Sequence, residues 1–204
     1  LHKPVILRGC AKHYPAVQRW HDTEYLRNVT TEMWYPIIEM QKTISRNDRG
    51  PFATDSNFHT FLDKAQEKDW YLVSALSSLD YSAPLRKDVH IPKQLHCRRA
   101  LQSYEGVHMW SSFGGTQSSQ HFDTHDNLQS QIVGTKTVLL TDPVQSKLLY
   151  MDFHDKFGLA PINVQKIDLN VFPAVRNITL IKATIHAGDI LYIPSHWWHV
   201  VLSH

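Results

Sequence analysis

Cysteine is nearly absent from this chain: Cys10 and Cys97 are the two in 204 residues. They form neither a disulfide framework nor a zinc pattern, so a reducing intracellular compartment, cytoplasmic or nuclear, fits slightly better than secretion. No apolar run approaches the roughly 20 residues of a membrane-spanning helix, so no membrane partner is expected. Neither sign of charge is in excess, with 21 Lys and Arg against 19 Asp and Glu. The basic residues are scattered apart from Arg98-Arg99, which argues against a dedicated nucleic-acid module. Internal repeats and low-complexity tracts are also lacking. What the chain does have is 42% hydrophobic residues, enough for a single compact domain over residues 1–204 with a substantial core. It begins at Leu1 rather than methionine and stops at His204, so it is expected to be a segment of a longer protein.

Two textures follow one another. Residues 3–8 read as a short edge strand with Pro4 near its start, followed by a helix capped by Asp22 or Thr23 with Tyr25 and Leu26 on its apolar side. Residues 33–40 are apolar but interrupted by Pro36, a modest strand at best, and the polar stretch 41–50 reads as a loop. Asp55 or Ser56 then caps a second helix with Phe58, Phe61, Leu62 and Ala65 at helical spacing. This helical preface with edge strands, 1–70, gives way to short strands over 70–76, 107–113, 117–123, 128–133, 136–140, 178–185, 189–193 and 197–202. The pattern predicts a mainly β fold, a double-sheet roll or barrel. Gly134-Thr135 reads as a type II′ hairpin loop that sets Val133 opposite Lys136, and Ala187-Gly188 as a second break. Residues 141–177 form a longer excursion expected to cover one end of the barrel.

The chemistry concentrates in His121-Phe122-Asp123 and in His199, near the end of the segment Gly188 to His199. Residues two apart on a strand point the same way, so His121 and Asp123 can converge on one ion, with His199 the third ligand. Two imidazoles and one carboxylate can hold Fe(II) on one face and leave the other open. Asn127, Gln129 and Gln131 share the parity of Asp123 and predict a polar interior, which needs a ligand because unpaired buried amides are costly. Lys136 reads either as a solvated hairpin lysine or as an ammonium entering that cavity. His125 reads as a solvated loop residue and His196 as a rim or turn residue. Trp197 and Trp198 are expected to pack on opposite faces of the metal strand.

Asp69-Trp70-Tyr71-Leu72, Phe113-Gly114-Gly115-Thr116-Gln117-Ser118, His121-Phe122-Asp123, Asn127 to Gln131, Gly134-Thr135-Lys136 and Gly188 to His199 together resemble the JmjC, cupin-like family of Fe(II)- and 2-oxoglutarate-dependent oxygenases. Residues 3–9 resemble its opening strand, and 167–169 and 171–173 its linker segment. The resemblance covers nearly the whole chain and is nearest to the small JmjC hydroxylases. It implies a double-stranded β-helix of the jelly-roll type over 71–204, here without its last strand. It also implies that His121, Asp123 and His199 ligate iron. Lys136 and Tyr71 would bind the distal carboxylate of 2-oxoglutarate, Ser118 would assist, and Asn127 would stand beside the metal-bound end, with dioxygen as the oxidant. Ser119 and Gln120 depart from the family, which commonly has proline and an apolar residue there.

The function this implies is hydroxylation of a protein side chain. Lysine demethylation and tRNA-base hydroxylation are rivals on the same core, and a cupin-like binding module that has lost turnover is a rival of another class. A protein or peptide substrate is preferred over tRNA because no long basic run is present.

Overall fold

The computed structural model describes residues 3–30, 34–39, 53–68, 70–76, 83–92, 95–150, 162 and 166–204; the loop expected at 41–50 lies outside the described residues. In chain order the elements are β1 (Val5–Leu7), α1 (Pro15–Arg19), α2 (Thr23–Val29), β2 (Trp34–Glu39), β3 (Ala53–Asn57), α3 (Phe58–Lys68), β4 (Trp70–Ala75), the short helices α4 (Ala83–Arg86) and α5 (Arg98–Gln102), β5 (His108–Ser111) and β6 (Asn127–Ser130). Then come β7 (Thr135–Thr141), β8 (Ile181–His186), β9 (Ile190–Ile193) and β10 (Trp198–Ser203). Asp22 caps α2 as expected, accepting from the amides of Glu24 and Tyr25. The cap of α3 is corrected: residues 55 and 56 belong to β3, and it is Asn57 whose Oδ1 accepts from the Thr60 amide at 2.8 Å.

Three antiparallel sheets result among the described residues, ordered β1-β9-β6, β10-β7-β8 and β3-β2-β4-β5. The part before Trp70 is therefore more than helical, since β2 and β3 extend the sheet that β4 and β5 begin. Pro36 is accommodated in β2 because pairing with β4 starts one residue later, at Ile37↔Leu72. The two three-stranded sheets face each other across Val138, Leu140, Ala183 and Ile185 on one side and Leu191 and Ile193 on the other. This is a β-sandwich, and its sheets are not closed into a barrel. A second core holds Phe58, Phe61 and Ala65 of α3 against Trp70, Leu72 and Met109. Burying each such side chain is worth about 1.5–3 kcal/mol.

The hairpin expected at Gly134-Thr135 does not form, because β6 and β7 lie in different sheets. After β6 the chain stays tied to the approach of β9, with the Gln131 amide on the Asp189 carbonyl and the Gly188 amide on the Gln131 carbonyl. It then turns at Gly134, φ +73°, and crosses over. The break at Ala187-Gly188 is present: Gly188 has φ +91°, and a Cβ there would meet Lys12 Cγ at 2.6 Å.

The strand expected at 117–123 is also corrected. This segment runs antiparallel to β10, with isolated bridges at Gln117↔Leu202 and His121↔His199 and the Ser118 amide on the Val201 carbonyl, but forms no continuous strand. Between them the Ser118 hydroxyl, not a carbonyl, accepts from the Val201 amide at 2.9 Å, which interrupts the ladder. The described part of the excursion contains 3₁₀ turns at Pro143–Leu149 and Pro173–Asn177. Its described residues Leu149, Ile162 and Val175 pack on Trp198, at the start of β10.

Candidate metal centre

His121, Asp123 and His199 come together. Their ligand atoms all lie within 4.8 Å of one another, and they are the one such group of three among the described residues. The bridge between residues 121 and 199 accounts for this, with each backbone amide donating to the other's carbonyl at 3.1 and 2.7 Å. It sets the two imidazoles 4.2 Å apart between ring centres, with His199 Nε2 3.5 Å from Asp123 Oδ2. Each ring is aimed by the backbone two residues before it. His121 Nδ1 is 2.8 Å from the Ser119 carbonyl, and His199 Nδ1 is 2.9 Å from the Trp197 carbonyl. Carbonyls only accept, so both Nδ1 atoms carry the proton and both Nε2 lone pairs face the shared point. Burial, and then the neighbouring His121, push the His199 pKa down to about 4, which keeps this ligand neutral at pH 7.

Asp123 is steadied by Asn127, whose Nδ2 donates to Oδ2 at 2.6 Å. This contact puts Asn127 beside the carboxylate of the candidate triad. Of the residues that share its parity, Gln131 is buried, and its amide is taken up by the Val133 carbonyl at 2.7 Å. Ser118 also differs in its contacts: its hydroxyl donates to the Ser119 carbonyl and accepts from Val201, so it shapes the entry to His121.

Lys136 is an interior residue, 8% exposed, and not a solvated hairpin lysine. Among the described residues no carboxylate pairs with it. Its ammonium reaches the Trp110 carbonyl at 3.4 Å and stands 5.7 Å from the centre of the Tyr71 ring. Burial pushes its pKa down to about 8 and raises that of the buried Tyr71 hydroxyl. Lys136 shares a face of β7 with Leu140, the residue paired with His199. Four residues of strand separate them, about 13 Å. Lys136 and His199 therefore project from the same face of the β7–β10 pair.

The donor set fits Fe(II), and an uncompensated buried cation fits a carboxylate. Trp110, which anchors Lys136 through its carbonyl, was not identified from the sequence; alternation along 107–113 was the available signal, since it places Trp110 opposite the buried Met109.

The remaining histidines and tryptophans lie as expected. His125 is exposed, 3.2 Å from Glu105. His196 is exposed in a turn with φ +65°, stacked on Phe122. Trp197 is buried in the core between the sheets and Trp198 on the other face of β10, its indole N–H donating to Ser146 Oγ at 2.8 Å.

Comparison with known proteins agrees with this geometry. Jumonji C domain-containing protein 5 of Drosophila melanogaster is 28% identical over 222 residues, which cover 98% of this chain and 52% of that protein. Lysine-specific demethylase 8 of Xenopus tropicalis is 28% identical over 203 residues, 98% of this chain and 45% of its own length. The tRNA wybutosine-synthesizing protein 5 of Homo sapiens is 33% identical over 119 residues, 58% of this chain and 36% of that protein. The chain spans about half the length of the first two of these relatives. The profile of the cupin-like domain matches residues 1–204, and with JmjC proteins among its relatives the chain belongs to the JmjC-type cupin-like domain family.

Proposed function

We propose that this domain is an Fe(II)- and 2-oxoglutarate-dependent dioxygenase that hydroxylates a protein side chain, its two-sheet core being a double-stranded β-helix. One observation carries the reading: a His-Asp-His triad aimed at one point shares the interior with a buried ammonium that no carboxylate pairs among the described residues. A binding module has no need of both. Iron, 2-oxoglutarate and dioxygen supply the oxidising power: the cosubstrate loses carbon dioxide to become succinate, one oxygen atom enters succinate and the other enters a substrate C–H bond.

The chain's own part is placement. His121, Asp123 and His199 hold the metal on one face, and the Ser119 and Trp197 carbonyls and Asn127 fix the angle at which they do so. Lys136, beside the Tyr71 ring, fixes the far carboxylate by a charge-assisted hydrogen bond in a site sheltered from water.

The test is succinate formation by iron-loaded protein with 2-oxoglutarate, against peptide and tRNA pools. His199→Ala is expected to abolish turnover and weaken metal binding, whereas His196→Ala leaves metal binding intact. Absence of succinate with every pool would favour the binding-module reading. Partial identity to a tRNA-modifying protein keeps a tRNA base as the second substrate reading.

A further inference from the structure

Trp110 is 53% exposed, yet its backbone stands against the buried Lys136 ammonium. It lies on β5, at the edge of its sheet, and its pairing with Val73 places the indole on the same face as Tyr71 and opposite Met109. The indole ring lies 5.9 Å from the Tyr71 ring, inclined at 45°. The Lys136 ammonium stands 5.7 Å from the centre of the same tyrosine ring. The Trp110 carbonyl meets that ammonium at 3.4 Å. One residue therefore bounds Lys136 twice, directly through its backbone and indirectly by bracing Tyr71.

The geometry points to Trp110 as a positioning residue that fixes the length of the 2-oxoacid accepted between Lys136 and the triad. The inference rests on the reading that Lys136 pairs with the distal carboxylate of 2-oxoglutarate. With the keto-acid end held at His121, Asp123 and His199, an acid one methylene longer must drive the ammonium onward. The Trp110 carbonyl and the Tyr71 ring stand against that ammonium, at 3.4 Å and 5.7 Å, and limit how far it can move. A close-packed interior yields only if one of its walls moves, and the indole keeps the tyrosine ring from turning aside. Because the indole is half exposed and lies outside both main cores, shortening it opens the wall without emptying a core.

The test uses manganese-loaded protein without dioxygen, titrated calorimetrically with 2-oxoglutarate and with 2-oxoadipate, which is longer by one methylene. Wild type is expected to prefer 2-oxoglutarate by about tenfold or more, the scale of an aromatic brace plus a lost charge-assisted bond. In Trp110→Ala the preference should fall toward unity while manganese affinity holds, and Trp110→Phe should keep most of it. A Trp110→Ala protein that weakens toward both acids by the same factor overturns the inference, since Trp110 would then be general support. So does a wild type that binds both acids equally. Either result leaves the cosubstrate reading standing, whereas a wild type that binds neither acid overturns that reading and this inference together.

Discussion

Lys136 carries its charge where water cannot reach it, and the consequence is a pH dependence that can be measured. Its folded pKa, about 8, lies below the ordinary lysine value of 10.5. The unfolded chain therefore holds the proton more tightly, and the ligand-free protein gains stability from this group as pH rises through that interval. Carboxylate binding runs the other way. Below pH 8 the ammonium is present and pairs; above it, binding must take up a proton, so 2-oxoglutarate affinity should fall by up to about tenfold per pH unit. Lys136→Ala should bind weakly with a flat profile, and equal affinity in variant and wild type would remove Lys136 from the site. Gln120 is the opposite case. It is 1% exposed, and neither amide atom has a hydrogen-bond partner among the described residues. An unpaired buried amide costs about 1–3 kcal/mol, so Gln120→Leu should raise the thermal midpoint by roughly 2–4 °C or more.

At the scale of elements, the turn between β8 and β9 fastens β1 to the sandwich. The buried Asp189 carboxylate accepts from Arg8 at 2.6 Å, from the Gly9 amide at 2.9 Å and from the His186 amide at 3.1 Å. Burial alone would raise its pKa, but the Gly9 and His186 amides and the Arg8 guanidinium outweigh it and hold the carboxyl below its ordinary value. A depressed carboxyl contributes stability that is present above the unfolded aspartate pKa and lost as pH falls through the folded one. Asp189→Asn should cost roughly 2 kcal/mol at neutral pH and flatten the loss of stability between about pH 5 and pH 3. Melting curves across that range check both expectations. Elements with one clear period were legible in the sequence, including β4, β7, β10 and the cap of α2. The triad was legible too, because its ligand types and spacing need no knowledge of partners. The 117–123 segment was not: its alternation is that of a strand, and only the Ser118 hydroxyl displacing a carbonyl breaks the ladder. Nor was the Gly134 crossover, since a glycine turn reads alike whether the strands it joins pair or part.

At the scale of the whole molecule, 21 basic against 19 acidic residues leave a formal net charge of +2, and the sequence has no long basic run to gather phosphates. On the proposed reading the substrate is a polypeptide, for which Gln129 is the available amide, since Gln131 is committed to Val133. Binding to bulk tRNA over a salt series checks this: weak binding with a shallow salt slope is expected. Tight, steeply salt-dependent binding accompanied by a hydroxylated nucleoside would transfer the reading to tRNA.

The pairing of β7 with β10 has a further consequence. His199 sits near one end of that ladder and Lys136 at the other, with Leu140↔His199 and Lys136↔Ser203 in continuous register. The two anchors are thus marks on one stiff ruler, and the interval between them is read off backbone hydrogen bonds rather than off loops. On the proposed reading, loops around the mouth can be redrawn for new substrates while the metal and cosubstrate keep the same gauge.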